Sequence, residues 1–534
     1  MAPSTRRPTR LLLRGGRVLT PAGYASALLV EGDAISWVGD EAELLPEEVD
    51  RTVDLGGRLV TPAFVDAHVH LAETGLAALG VDLSEARSAA EALDLVADHA
   101  RSADLGVVLG MGWDDTRWAA GAPFTRAELD RAVGGRPAYV ARVDLHSACV
   151  STALLEVATG HLGGRLEETS GWSADGPVSR DAHHAVRDAL RTLLTPDDRA
   201  AAISRALRTA ATRGIGMVHE MAAPHINPAG DVDLARWLRA QARDAGGALP
   251  EVVGYWGEVG GDLTALEGVA GAAGDICVDG AVGSRTAGLE APYTDAASTN
   301  GHVYLTADQV ADHVVACTEA GLQAGFHVIG DRAVAEVVAG LEKAASQLGD
   351  DAVRRGRHRL EHLEMVTPPQ MDVLAGLGVT ASMQPLFQEW WGGPGGLYEI
   401  RLGERARGMN AFGSLAAAGV PLAFGSDSPV TPFAPWSAVR GAATHQDASQ
   451  RLGVRAAFEA HTVGGWRAAR DDTGGEITAG APANLAVWDT TAGDPLAHLV
   501  ADAVNNAAAD ASLPHCVLTL VRGAVAHDEE GTLS

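Results

Sequence analysis

A chain of 534 residues with 46% hydrophobic content buries a large core, which excludes disorder as its dominant state and points to several domains or one barrel with additions. The formal net charge of -28 repels nucleic acid and anionic membrane surfaces, leaving a small neutral or cationic molecule as the expected partner, with homo-oligomerisation open. Four scattered cysteines (149, 277, 317, 516), an N-terminal apolar run no longer than Leu11–Leu13 and no membrane-length window together lead us to expect a cytoplasmic protein.

In chain order, the first sixty residues alternate short β-like runs with turns: Leu11–Leu13, Ala27–Val30, Ile35–Val38 and Leu59–Val60. That texture returns at Asn484–Asp489 and Cys516–Val525, so residues 1–62 and 475–534 are expected to build one composite β-domain. Between them, residues 63–474 alternate apolar strand candidates with Ala-rich helical segments, the pattern of an α/β protein with a parallel sheet. The eight candidates are Ala63–His70, Ile215–Glu220, Val252–Trp256, Ile276–Asp279, Gln323–Val328, Arg359–His362, Val379–Gln384 and Pro421–Asp427. Eight such units suggest a (β/α)8 barrel of TIM type, whose functional residues sit at the C-terminal strand ends. About 140 residues separate the first two strands, too many for a βα loop, so an inserted subdomain is expected over about 72–212, where it can cover the site.

The first strand closes on VDAHVHL. Positions two apart share a face of a strand, so His68 and His70 lie side by side in a chelating geometry. An isolated His-x-His usually marks only a polar strand end. Further polar groups, however, fall at later strand ends: His327 on the fifth, His362 on the sixth, Gln384 on the seventh, Asp427 on the eighth. Several imidazoles and carboxylates pointing into one cavity carry a large desolvation cost, which a divalent cation offsets.

The ordered motifs VDAHVHL, GWDDTRW, DGAVGSRTA, HVIGDRAV, LEH, MQP, GSDSPV and NLAVWD resemble the amidohydrolase superfamily, most closely amidohydrolase family 3, also called YtcJ-like. The resemblance spans nearly the whole chain. It implies a metal-dependent hydrolase of non-peptide C–N bonds (amide, N-formyl or cyclic amide), with a (β/α)8 barrel and a β-sandwich from both termini. His68, His70, His327 and Asp427 match its metal positions, and Asp427 and His362 its catalytic ones, with His362 a ligand if two ions are held. Metal-activated hydroxide is then the nucleophile and Asp427 the general base. Imidazole-rich donors favour a divalent transition metal, zinc foremost. A hydrolytic deaminase is the alternative within the superfamily, and a catalytically silent binding or assembly barrel the alternative outside catalysis.

One position departs from the family. Where members carry a lysine, in the form K-x-x-x-D-G, that can be carbamylated to bridge two metals, this chain has Asp275 in DICVDG, and its single lysine, Lys343, falls in a helix after the fifth strand. Asp275 has a shorter stem and is expected early in its strand, so one ion is favoured over two. By resemblance, His146, Asp279, Arg285 and Trp113 are expected near the substrate, with core packing equally open for His146 and a salt-linked structural role for Asp279, Arg285 and Asp331. Trp390 and Trp391 suit a pocket wall or a packed lid, while His99, His183 and His184 read as solvated surface.

Overall fold

Eight short, almost wholly buried strands line up in parallel: β1 (Phe64–Val69), β2 (Ile215–Ala222), β3 (Glu251–Trp256), β4 (Gly271–Ala272), β5 (Gln323–Val328), β6 (Arg359–His362), β7 (Thr380–Met383) and β8 (Leu422–Phe424). They are those of a computed structural model describing residues 9–43, 49–103, 105–119, 121–260, 263, 266, 268–490, 496 and 513–533. Residues 1–8 lie outside the described residues. Each strand bonds to the next in chain order. β8 and β1 meet through a parallel bridge between Val69 and Ser428, and the Asp427 N–H donates to the His68 carbonyl at 2.8 Å, so a TIM-like barrel all but closes. Both faces of such strands are covered, which is why they read as apolar runs instead of alternating ones.

Helices wrap the outside. The helix Asp331–Leu348 buries Val334, Val337, Val338, Leu341 and Ala345, a stripe at helical spacing that faces the barrel. Its outer face carries Lys343, whose Nζ lies 2.6 Å from Asp308 Oδ1 in an exposed ion pair.

The fourth strand differs from expectation. Its ladder is Gly271–Ala272, ahead of the expected Ile276–Asp279, which instead runs beside β5 through a single bridge between Cys277 and His327. Gly274, at φ +92°, turns the chain between the two segments, and a Cβ there would stand 2.9 Å from the Met221 sulfur. Asp275 therefore follows the strand, at the barrel mouth.

Strands from both termini pair in one sheet, in the order Ala524–Asp528, His515–Val521, Leu485–Asp489, Leu59–Pro62, Arg10–Thr20, Gly23–Glu31 and Ala34–Gly39. The sandwich takes the form of one hydrogen-bonded sheet: Arg10–Thr20, with its register broken between Arg14 and Val18, pairs Arg51–Asp54 along its first part and Leu59–Pro62 along its second. Residues between β1 and β2 hold a separate five-stranded sheet flanked by helices. No described helix is long and apolar enough to cross a membrane.

Candidate metal centre

Six side chains from four strand ends and the β4 exit converge at the barrel mouth. Asp427 Oδ1 lies 3.1 Å from His70 Nε2 and 3.4 Å from His68 Nε2. Asp275 Oδ2 lies 3.1 Å from His70 Nε2, and its Oδ1 is 3.5 Å from both His68 Nε2 and His327 Nδ1 and 3.9 Å from His362 Nε2. The donors form three overlapping trios: His68, His70 and Asp275; His68, His362 and Asp427; Asp275, His327 and His362.

Three of the imidazoles are aimed from behind. His68 Nδ1 lies 2.9 Å from Glu361 Oε2, His70 Nδ1 3.1 Å from the Met221 carbonyl, and His362 Nδ1 2.8 Å from Gln384 Oε1. An Nδ1–H donated to each acceptor leaves the Nε2 lone pair facing the centre, the tautomer a metal requires. His68 Nε2 and Asp275 Oδ1 are buried and have no hydrogen-bond partner. Such atoms, in a set of four imidazoles and two carboxylates, fit a divalent transition ion better than calcium or magnesium, which favour oxygen.

The electrostatics are those of the competing state, in which the two carboxylates hold protons on the imidazoles that a metal would displace. Burial disfavours charge on Asp275 and Asp427, yet the facing His68 imidazole holds both carboxyls well below the usual carboxylate range. Burial likewise opposes a proton on His70, and hydrogen bonds to Asp275 and Asp427 override it, pushing the imidazole up to about 10.

The backbone is strained at the same place. His362, Leu363 and Asp427 adopt φ of 70°, 47° and 56°, each costing about 1–3 kcal/mol for a residue other than glycine. Neighbours hold that conformation. Asp66 Oδ1 accepts the Ser426 N–H at 2.9 Å and the His68 N–H at 3.3 Å, tying the end of β8 to β1. Gly425 permits this approach, since a Cβ there would come within 2.5 Å of the His68 nitrogen.

Glu361 is the orienting residue that sequence reading missed, although Arg359 and Glu361, two apart on one strand, announce a charged pair inside the barrel. Arg359 Nε donates to Glu361 Oε1 at 2.5 Å and its Nη2 to Oε2 at 3.1 Å, and Oε2 also faces His68 Nδ1 at 2.9 Å. Glu361→Gln is expected to weaken metal affinity about 10- to 100-fold, read by competition with a chromophoric chelator. Wild-type affinity in that titration would rule out the orienting role.

A narrow cleft opens on the donors His327, His362 and Asp427. Ile329, Val282, Phe387, Trp391, Leu397 and Val430 give it apolar walls, and Asp144, His146, Glu364 and Tyr398 its other polar groups. His146 belongs to the cleft, its ring 5.0 Å from that of His327. Trp391 forms a wall, whereas Trp390 is 47% exposed.

Three residues expected near substrate are engaged elsewhere. Trp113 is buried within the inserted subdomain, its Nε1–H donating to the Val140 carbonyl at 3.0 Å, because the GWDD turn packs it against Trp118 and Phe124. Asp279 accepts N–H groups from Gly288, Ile329 and Gly330 at 2.8–3.0 Å, which joins the loop after β4 to β5 and leaves a substrate little to bind. Arg285 pairs with Asp295 at 2.7 Å. Asp331 accepts the Glu290 N–H. His183 is buried against the Tyr139 hydroxyl at 2.8 Å, and His184 is half-buried beside His225, because their helix packs this side against the inserted sheet and the loop after β2 instead of facing solvent.

A buried ion network roofs the cleft. Arg142 reaches Asp114 at 2.6 Å, Asp115 at 3.0 Å and Asp144 at 3.1 Å, and Arg401, on the helix Leu397–Leu402, reaches Asp295 at 2.5 Å and Asp115 at 3.5 Å. The inserted subdomain is thereby fastened to the segment after β7.

A parallel barrel with clustered imidazoles and carboxylates at its C-terminal mouth defines the class of metal-dependent hydrolases. An amidohydrolase family model, that of family 3, matches residues 51–527, and the chain belongs to this family. It is similar to Bacillus subtilis YtcJ, at 27% identity over 471 residues, 82% of this chain and 83% of that one. It is also similar to the N-substituted formamide deformylase of Arthrobacter pascens, at 24% identity over 87% of this chain and 90% of the other. Among solved structures, an uncharacterized metal-dependent hydrolase from Pyrococcus furiosus superposes with a TM-score of 0.68 at 25% identity, covering 91% of this chain and 100% of that one.

Proposed function

We propose that the chain hydrolyses a non-peptide C–N bond of a small molecule, of amide, N-formyl or cyclic amide type, and that it works in the cytoplasm. The observation that carries this reading is the convergence of His68, His70, His327, His362, Asp275 and Asp427 on one mouth that faces a single apolar cleft. The similarity to a deformylase of N-substituted formamides supports the substrate class.

Zinc is the ion that the imidazole-rich donor set suits best. A bound ion supplies Lewis acidity and brings the pKa of its water to about 7. The single ion expected from the sequence rested on the short stem of Asp275 and on its standing early in its strand; the second premise does not hold, since Asp275 follows β4 and lies 3.1 Å from His70 and 3.5 Å from His327. We therefore propose that the centre would hold two ions, His68, His70 and Asp427 serving one and His327 and His362 the other, with Asp275 within reach of both groups of imidazoles.

The chain's own groups do the rest. Asp427 accepts the proton of the attacking water and returns it to the departing nitrogen. Glu361, the Met221 carbonyl and Gln384 keep the imidazoles in register, and the apolar walls exclude bulk water from the reacting carbonyl.

The test is a panel of N-formyl, N-acyl and cyclic amide compounds offered to zinc-loaded protein, with amine and acid products both measured. Release of an acid with its amine is expected. Ammonia without an acid product would mark a deaminase, and no turnover with no transition metal retained would mark a silent barrel.

A further inference from the structure

The carboxylates facing the cleft differ in how they are satisfied. Asp144 accepts from Arg142 at 3.1 Å and from the Ser284 hydroxyl at 2.8 Å. Glu364, just after β6, is 3% exposed and lines the same cleft, yet its Oε2 has no hydrogen-bond partner, and among the described residues it forms no ion pair. The buried Tyr398 hydroxyl beside it interacts with this carboxylate as a neutral donor, so what Glu364 lacks is a cationic one. An acceptor left unmade in a buried site costs about 1–3 kcal/mol, more when charged, so such a group marks a place where a ligand supplies the donor.

The surroundings define that donor. Phe387, Trp391 and Leu397 on the walls suit an apolar body, while Glu364 offers a lone acceptor to one polar group carried on it. Asp144 cannot compete, being engaged already. A chain of net charge -28 also draws cations toward its surface.

We propose that Glu364 is the specificity-determining residue of the cleft, receiving a basic nitrogen, of primary amine class, that the substrate carries on an aromatic or aliphatic body beyond its scissile C–N bond. The inference rests on reading the cleft as the substrate site of the proposed hydrolase. A charge-assisted hydrogen bond in a water-poor cleft then separates basic substrates from neutral ones of equal size.

Calorimetric titration of zinc-loaded protein with 4-(aminomethyl)benzamide and with 4-methylbenzamide tests it, because the two ligands differ only in the amine. The wild type is expected to bind the amine about tenfold more tightly. Glu364→Gln is expected to erase that preference while 4-methylbenzamide affinity and zinc content stay at wild-type levels. Equal affinities in the wild type, binding of neither ligand, or a preference that survives in Glu364→Gln would overturn the proposal. The wild-type comparison alone decides against it even if the variant misfolds. Turnover is not the readout, so a protein that prefers the amine but hydrolyses nothing would refute the proposed reaction and leave the assignment of Glu364 standing.

Discussion

Asp427→Asn is expected to lower turnover of a verified substrate by about 10² to 10⁴-fold, the range for loss of a general base. Asparagine keeps the size of the side chain but cannot take a proton. It also tolerates the left-handed backbone that position 427 adopts, at φ 56°, better than most residues, so the fold around β8 should persist. Steady-state kinetics paired with elemental analysis separate two causes. A fall in kcat with metal content intact assigns the proton transfer to Asp427; a parallel fall in both assigns it a ligand's role as well, in keeping with its 3.1 Å approach to His70. Wild-type turnover would remove Asp427 from the mechanism.

Asp275→Ala is expected to reduce tightly bound metal from about two ions per chain to one or none. Two dications about 3.5–4 Å apart repel strongly unless an anion lies between them, and Asp275 is the carboxylate that reaches imidazoles of both sets. On that proposal the chain supplies its own carboxylate at this place, so loading should not respond to added bicarbonate, whereas a carbamylated lysine would need it. Stoichiometry by mass spectrometry after dialysis, with and without bicarbonate, reads both points. A wild type holding one ion, or an Asp275→Ala protein holding two, would return the centre to a single-ion design.

Much of this was legible in the chain. β5 and β6 fall at the bounds expected for them, since Gln323–Val328 and Arg359–His362 are apolar runs cut cleanly by turn residues. β4 was misplaced because Gly271–Ala272 has no β-branched side chain to announce it, whereas Ile276–Asp279 reads as a strand but leaves the ladder after Gly274. That shift concealed Asp275. The His-x-His pair and the later imidazoles were visible because chelation demands residue types that packing does not. Trp113, Asp279 and Arg285 were harder to place: their motifs are strong, and the structural role left open for Asp279 and Arg285 depends, like the burial of Trp113, on partners elsewhere in the fold, the Val140 carbonyl, three backbone N–H groups and Asp295. Glu364 carries no local signal at all; only the folded chain brings it to the cleft.

The lone lysine has a practical consequence. Lys343 supplies the only ε-amine of the chain, on an exposed face of the helix Asp331–Leu348, held by nothing stronger than a surface pair with Asp308, a contact worth at most about 1 kcal/mol. That helix begins at the barrel mouth, and twelve residues at about 1.5 Å each carry Lys343 roughly 18 Å away from it. Amine-directed coupling, once the α-amino group is chemically blocked, would tether every molecule through the same flank. Immobilised this way, the protein would present its cleft in a single orientation, a uniformity that lysine-rich barrels reach only after mutagenesis.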